Sequence, residues 1–126
     1  FDPQGLANTG WAFATLGFRS QVMMDAIAEE LVLGISRWSH QNIANFVWAF
    51  AKLGMQHPRM LDAIAVETMP TIQDWNPQGL ANVSWAFAKI GVSNQRFYDE
   101  VERECLHQIR DFQPQNLVNI AWAYAK

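Results

Sequence analysis

Apolar and polar positions along this chain follow two superimposed periods. Locally, apolar residues recur every three or four positions, the spacing that gathers them on one side of an α-helix. At longer range, the whole pattern returns every 37 residues. Repetition at such a period is the signature of a stacked repeat architecture. Three residue types show the period most clearly: Trp11, Trp48, Trp85 and Trp122; Gln4, Gln41, Gln78 and Gln115; and Asn8, Asn45, Asn82 and Asn119.

Each repeat opens with signals for the start of a helix. An aromatic residue comes first, then a polar residue, then proline in three of the four copies. Asp2, Ser39 and Asn76 are residue types that cap helix N-termini, and proline suits the first helical position because its missing N–H is not needed there. A first helix is therefore predicted to begin at residues 3, 40, 77 and 114. Three glycines are predicted to end the first three copies in the left-handed conformation: Gly17, Gly54 and Gly91.

A second helix is predicted after a short turn in the first three repeats. Candidate caps are Ser20, His57 and Asn94, and Pro70 is expected to shorten the second copy. No strand pattern appears. The predicted bounds of these second helices are 21–34, 58–70 and 95–110.

Seven helices of this kind predict an all-α fold. Neither helix of a repeat buries its apolar side alone, so the repeats are expected to stack into an α-α superhelical solenoid. The chain is interpreted as one repeat array over 1–126 and as a piece of a longer protein. Its repeats are 1–37, 38–74, 75–111 and a partial copy at 112–126.

Composition excludes several classes of function. The net charge is -3, and only 17% of residues are charged, which by itself does not favour a nucleic-acid partner. The single cysteine, Cys105, excludes an internal disulfide and a four-cysteine metal site, and we expect it to be buried. The three histidines have no metal-ligand spacing. No catalytic motif appears, so neither an enzyme nor a cofactor is predicted.

Charge is divided unequally between the two kinds of helix. The first helices hold all three lysines and no acid, whereas the rest of the chain holds six arginines and all twelve acids. At about 100° per residue, glutamine, asparagine and lysine share one side of the first helix. Amide and ammonium groups suit the phosphates, sugars and base edges of single-stranded RNA. The candidate RNA-binding residues are Gln4, Asn8, Gln41, Asn42, Asn45, Lys52, Gln78, Asn82, Lys89, Gln115, Asn116, Asn119 and Lys126.

Structural roles for the same residues stay open at this point. A repeated asparagine equally suits hydrogen bonds to the backbone of an adjacent turn. The lysines lie in the last helical turn, where the helix dipole favours a cation. The tryptophans are expected in the core rather than as stacking surfaces for bases, because bulky aromatic residues dominate buried area. Base stacking would require an exposed indole face.

The repeat resembles a known family. The string F-x-P-Q-x-L-A-N-x-x-W-A-F-A-x-L-G, followed by a second helix, resembles the octotricopeptide repeat and its 37-residue relative, the heptatricopeptide repeat. The resemblance covers the whole chain and is strongest over 2–17 and 76–91. The second copy departs from the pattern at His40 and Ile43, and the fourth at Val118 and Tyr124.

That resemblance implies a right-handed superhelix that binds single-stranded or ribosomal RNA in mitochondria or chloroplasts. The implied roles are transcript processing, RNA stability, translation or ribosomal RNA binding. Many such proteins carry a RAP domain, which these 126 residues do not show. The alternative function is a non-catalytic scaffold subunit of a large organellar assembly, such as a ribosome or photosynthetic complex, with protein partners. The low count of basic residues favours this alternative.

If each repeat reads one base, the discriminating residues should differ between copies. Two positions of the first helix vary in this way. They comprise Gly5, Asn42, Gly79 and Asn116, and then Thr9, Phe46, Val83 and Ile120.

Overall fold

Seven α-helices make up the part of the chain that the structure describes. This computed structural model describes the backbone of residues 2–125 and the side chains of residues 2–119, 121 and 122. No strand occurs within residues 2–125, so the predicted all-α class is confirmed. The helices are α1 (Pro3–Leu16), α2 (Gln21–Leu33), α3 (His40–Lys52), α4 (Pro58–Thr68), α5 (Pro77–Ile90), α6 (Gln95–His107) and α7 (Pro114–Ala125).

The first helices of the repeats, α1, α3, α5 and α7, begin where the sequence predicts. Asp2, Ser39 and Asn76 each accept a hydrogen bond from a backbone N–H of the first turn, at 3.1, 3.0 and 2.7 Å. These bonds satisfy donors that have no partner inside the helix. The predicted left-handed ends are also confirmed, with φ angles of 69°, 70° and 92° at Gly17, Gly54 and Gly91.

The second helices, α2, α4 and α6, end earlier than predicted. A short 3-10 helix follows each of them, at Ile35–Arg37, Met69–Asp74 and Ile109–Asp111. The largest difference is in α6, which ends at His107 instead of residue 110. Just beyond it, the Gln108 amide donates to the Trp75 carbonyl at 2.8 Å, a contact across a whole repeat. The predicted caps at Ser20, His57 and Asn94 are confirmed.

The helices lie in two layers. The first helices pack side by side, α1 against α3, α3 against α5, and α5 against α7. The second helices occupy the other layer, where α2 contacts α4, and α6 contacts the 3-10 helix after α4. Stacking of one repeat on the next is therefore observed, while the superhelical twist of the array stays a prediction. None of the helices within residues 2–125 has the length and apolarity needed to cross a membrane.

The core lies between the two layers and is rich in phenylalanine. Phe46, Phe50, Phe87 and Phe97 are completely buried, and the Phe87 and Phe97 rings stack with centroids 4.5 Å apart. The aromatic residues that open the second and third repeats, Trp38 and Trp75, are buried too. These side chains fill the space between layers, so the other sides of the first helices are left at the surface.

Candidate nucleic-acid interface

One line of surface side chains runs along each first helix. In α3 it consists of Gln41, Asn45, Trp48 and Lys52, spaced four, three and four residues apart. This spacing keeps the residues on one side of a helix. We call this set, with its counterparts in the other repeats, the Gln-Asn-Trp-Lys stripe. The counterparts are Gln78, Asn82, Trp85 and Lys89 in α5; Gln4, Asn8, Trp11 and Thr15 in α1; and Gln115, Asn119, Trp122 and Lys126 in α7, of which Lys126 lies outside the described residues.

The tryptophans of successive stripes form a ladder across the stack. The ring centroids of Trp48 and Trp85 lie 6.2 Å apart, and those of Trp85 and Trp122 lie 5.8 Å apart. The neighbouring rings are tilted by 34° and 39°. Trp11 occupies the same position on α1 and is 49% exposed. Side-by-side packing of the first helices therefore turns one repeated residue into a continuous aromatic row.

The prediction that these tryptophans belong to the core is confirmed in part, because Trp48 and Trp85 pack against the core while only partly buried. Trp48, Trp85 and Trp122 are half-buried and Trp11 is exposed. The core side of α3 is taken by other residues, Phe46 and Phe50 among them. A helical wheel contains the signal that would have found the ladder, because the tryptophan row lies only about 20° from the glutamine row at 100° per residue.

A lysine ammonium lies over the indole ring in both α3 and α5. Lys52 Nζ is 5.8 Å from the centre of the Trp48 ring, and Lys89 Nζ is 5.8 Å from the centre of the Trp85 ring. Cations at this distance are attracted by the negative face of an aromatic ring. Both lysines are exposed and lie in the last turn of their helices, so the helix dipole favours them as well. The ring contact holds each charge next to an indole.

In α5 and α7 the amide end of the stripe is linked within the helix rather than to the backbone. The Gln78 side chain donates to Asn82 Oδ1 at 3.3 Å, and Gln115 donates to Asn119 Oδ1 at the same distance. Among the described residues, the Asn45 side chain has no hydrogen-bonding partner. These contacts do not bear out the alternative in which the asparagines bond the backbone of an adjacent turn. The amides of α3 and α5 instead line a cavity of about 320 Å³, formed by Gln41, Asn45, Asn76, Gln78 and Asn82 with Ala44 and Gly79.

The positions that vary between repeats are mostly hidden. Phe46 and Val83 are 0% exposed, and Asn116 is only 3% exposed. Gly79 is also buried, and Asn42 is half-buried. Burial argues against base reading by Phe46 and Val83. Gly5 is exposed, and Thr9 and Asn42 are half-buried, so the role stays a prediction for the other positions, Asn116 included. The side chain of Ile120 lies outside the described residues.

Other chemistry-bearing side chains have structural roles. Burial, and secondarily the nearby carboxylates of Glu104 and Glu102, raise the pKa of Cys105 to about 12. Its thiol therefore stays protonated at neutral pH and packs in the core, as expected. His57 caps α4 and its Nε2 lies 2.9 Å from Glu29 Oε2. Across the described part of the chain, no three His, Cys, Asp or Glu side chains are grouped to hold a metal ion.

A row of indoles, ammonium groups and amides on stacked helices defines an all-α repeat array with an extended polar and aromatic surface. Residues 4–126 match the family model described as RNA-editing substrate-binding complex 6 protein. The chain belongs to this family of RNA-associated helical proteins. A comparison with curated proteins found no match. The finer relation to octotricopeptide and heptatricopeptide repeats stays a proposal.

Proposed function

We propose that this protein binds RNA through its Gln-Asn-Trp-Lys stripes, as a non-catalytic component of an RNA-processing assembly. The observation that carries the proposal is the alignment of the same four side chains on neighbouring helices. Amides, indoles and ammonium groups there recur without any acid among them. The family name, which refers to an RNA-editing substrate-binding complex, also supports a role in RNA processing.

The stripe offers one kind of contact for each part of an RNA strand. Lys52 and Lys89 neutralise phosphates, which supplies most of the sequence-independent affinity for nucleic acids. The amides of residues such as Asn45 and Asn82 both donate and accept hydrogen bonds, as sugars and base edges require. All acids lie outside the first helices, so the charge distribution directs a polyanion to the stripes.

The cellular setting is part of the proposal. Proteins with octotricopeptide and heptatricopeptide repeats act in mitochondria or chloroplasts, and the resemblance to them supports the same setting for this protein. There they act in transcript processing, stability, translation or ribosomal RNA binding. Imaging the tagged full-length protein against markers for both organelles tests this setting, and signal confined to the cytosol or nucleus would contradict it.

A charge-reversal experiment tests RNA binding by the stripes. Changing Lys52 and Lys89 together to glutamate should weaken binding of an unpaired RNA and flatten its salt dependence. The expected reduction in the slope of log K against log salt is about 0.7 for each lysine that contacts a phosphate. Arg96 and Arg110, exposed residues of the second layer, provide the matched control. Changing both to glutamate alters the net charge equally and should leave the salt slope nearly unchanged. Equal losses in both variants, with the fold intact, would contradict the proposal.

A scaffold role is the second candidate function. It is favoured by apolar side chains exposed on the second layer, where Val66 is 66% exposed and Leu106 is 65% exposed. Such side chains suit protein partners, and an array of repeats provides an extended surface for them. The two functions differ in what covers the stripes within an assembly. Phosphates against Lys52 and Lys89 support RNA binding, and a protein chain in the same place supports the scaffold role.

A further inference from the structure

We infer that the tryptophan ladder is a stacking surface for the bases of an unpaired RNA strand, which takes up one nucleotide at each repeat. The inference rests on the proposed function and specifies its substrate as single-stranded RNA. It assigns base contact to Trp48, Trp85 and Trp122, whose rings are neighbours.

The surface position of the ladder is the first reason. Bulky aromatic side chains dominate buried area in most proteins, and Trp38 and Trp75 follow that rule here. Trp48 and Trp85 pack against the core yet stay partly exposed, in line with the glutamine, asparagine and lysine of their helices. A contiguous apolar row bordered by polar groups is typical of a binding surface.

The spacing of the rings is the second reason. Bases in a stacked strand are about 3.4 Å apart, whereas the indole centroids are 6.2 and 5.8 Å apart. The ladder therefore matches a strand whose bases have been separated from one another. RNA-binding proteins recognise single strands in this form, by stacking splayed bases on aromatic side chains. A duplex, whose bases already stack on each other, does not offer these faces.

The order of side chains within the stripe gives the bound strand an orientation. Asn45 precedes Trp48 along α3, and Lys52 follows it. A base stacked on Trp48 then has its edge on the amide side and its phosphate on the lysine side. The strand accordingly crosses the helices with its backbone over the lysine row. The amide-lined cavity between α3 and α5, about 320 Å³, lies on the side of the base edges.

The positive charge of this surface favours a nucleic acid over the other ligands that bind rows of aromatic side chains. Proline-rich peptides and ammonium compounds also stack on indoles. However, the ammonium groups of Lys52 and Lys89 each lie 5.8 Å from an indole centre. A cationic ligand would be repelled from that surface and an uncharged proline-rich peptide would gain nothing from the two ammonium groups, whereas a phosphate chain beside stacked bases is attracted to them.

Ring removal tests the inference directly. Trp48→Ala and Trp85→Ala are each expected to weaken binding of a labelled unpaired RNA about tenfold, since base–aromatic stacking is of that size. Trp48→Phe and Trp85→Phe should recover most of the loss. Leu106→Ala, which removes an exposed apolar side chain from the second layer, should change nothing. Fluorescence anisotropy gives the affinities, and a thermal melt of each variant separates loss of binding from loss of fold.

An abasic RNA of the same length and charge makes the test independent of how the variants fold. With the wild-type protein, removing the bases opposite the ladder should weaken binding as much as removing the rings. If the abasic strand or a duplex binds as tightly as the normal single strand, the stacking inference is wrong while RNA binding stands. If no RNA binds even at low salt, both proposals are wrong. Tighter binding of a proline-rich peptide than of RNA would likewise overturn the inference.

Discussion

The distance between the first two repeats depends on a residue without a side chain. Gly10 of α1 faces Phe46 of α3, and a Cβ atom placed on Gly10 would lie 2.6 Å from two atoms of that ring. Phe46 is completely buried, so its ring has little freedom to move away. The corresponding residue in the next repeat is Val47, which has a side chain and is also buried. Gly10 therefore allows α1 to approach Phe46 closely.

A methyl group at this position should destabilise the protein although alanine favours helices. Overpacking of a filled core costs about 1–3 kcal/mol, and the better helix propensity of alanine offsets about 1 kcal/mol. Gly10→Ala is thus expected to lower the free energy of unfolding by about 1 kcal/mol in a urea titration. Gly5→Ala is the matched control on the same helix, since the nearest atom is Asp2 Cβ at 3.9 Å. It should leave stability unchanged or raise it. If the two variants prove equally stable, the close contact between Gly10 and Phe46 does not exist in solution.

The helices differ in how far local sequence determines their ends. The first helices could be placed correctly because their signals, such as Asn76 before Pro77, act within one turn of the chain. Just beyond the end of α6, the Gln108 amide donates to the Trp75 carbonyl, 33 residues earlier in the same repeat, and no local pattern reveals a contact at that range. The same limit explains why the partial exposure of the ladder was not predicted. The side of α3 that becomes buried is decided by its neighbours, and Trp48 lies near that boundary.

The cap of α5 provides a test at the level of a single helix. Asn76 Oδ1 accepts a hydrogen bond from the Gly79 N–H at 2.7 Å. Asn76→Ala should lower the free energy of unfolding by about 1 kcal/mol because that N–H loses its partner. Asn76→Asp retains an acceptor oxygen and should be close to wild type. Thermal or urea denaturation measures both variants. Equal destabilisation by alanine and aspartate would show that Asn76 contributes through something other than the cap.

Across the whole molecule, the stripes are nearly identical from repeat to repeat. Gln, Asn and Trp recur in all four copies, and the one position that changes is Thr15 of α1, where α3 and α5 have lysine. The residues that do vary, such as Phe46 and Val83, are buried. Each stripe consequently presents the same chemistry to the base it meets, so the stripes themselves give one repeat no preference that the next one lacks.

Binding should therefore depend on the base composition of an RNA and hardly on its order. A good bidentate base contact contributes about 1–3 kcal/mol of discrimination, and identical amides at every repeat apply the same preference everywhere. Homopolymers of the four bases are expected to differ in affinity, whereas two mixed strands of equal length and composition but different order should bind alike. Competition titrations at constant salt make this comparison, because phosphate contacts then contribute equally. A strong dependence on order would mean that the repeats are not equivalent. The residue to examine next would then be Thr15, whose hydroxyl donates to the Trp11 carbonyl at 2.9 Å in the place of a lysine.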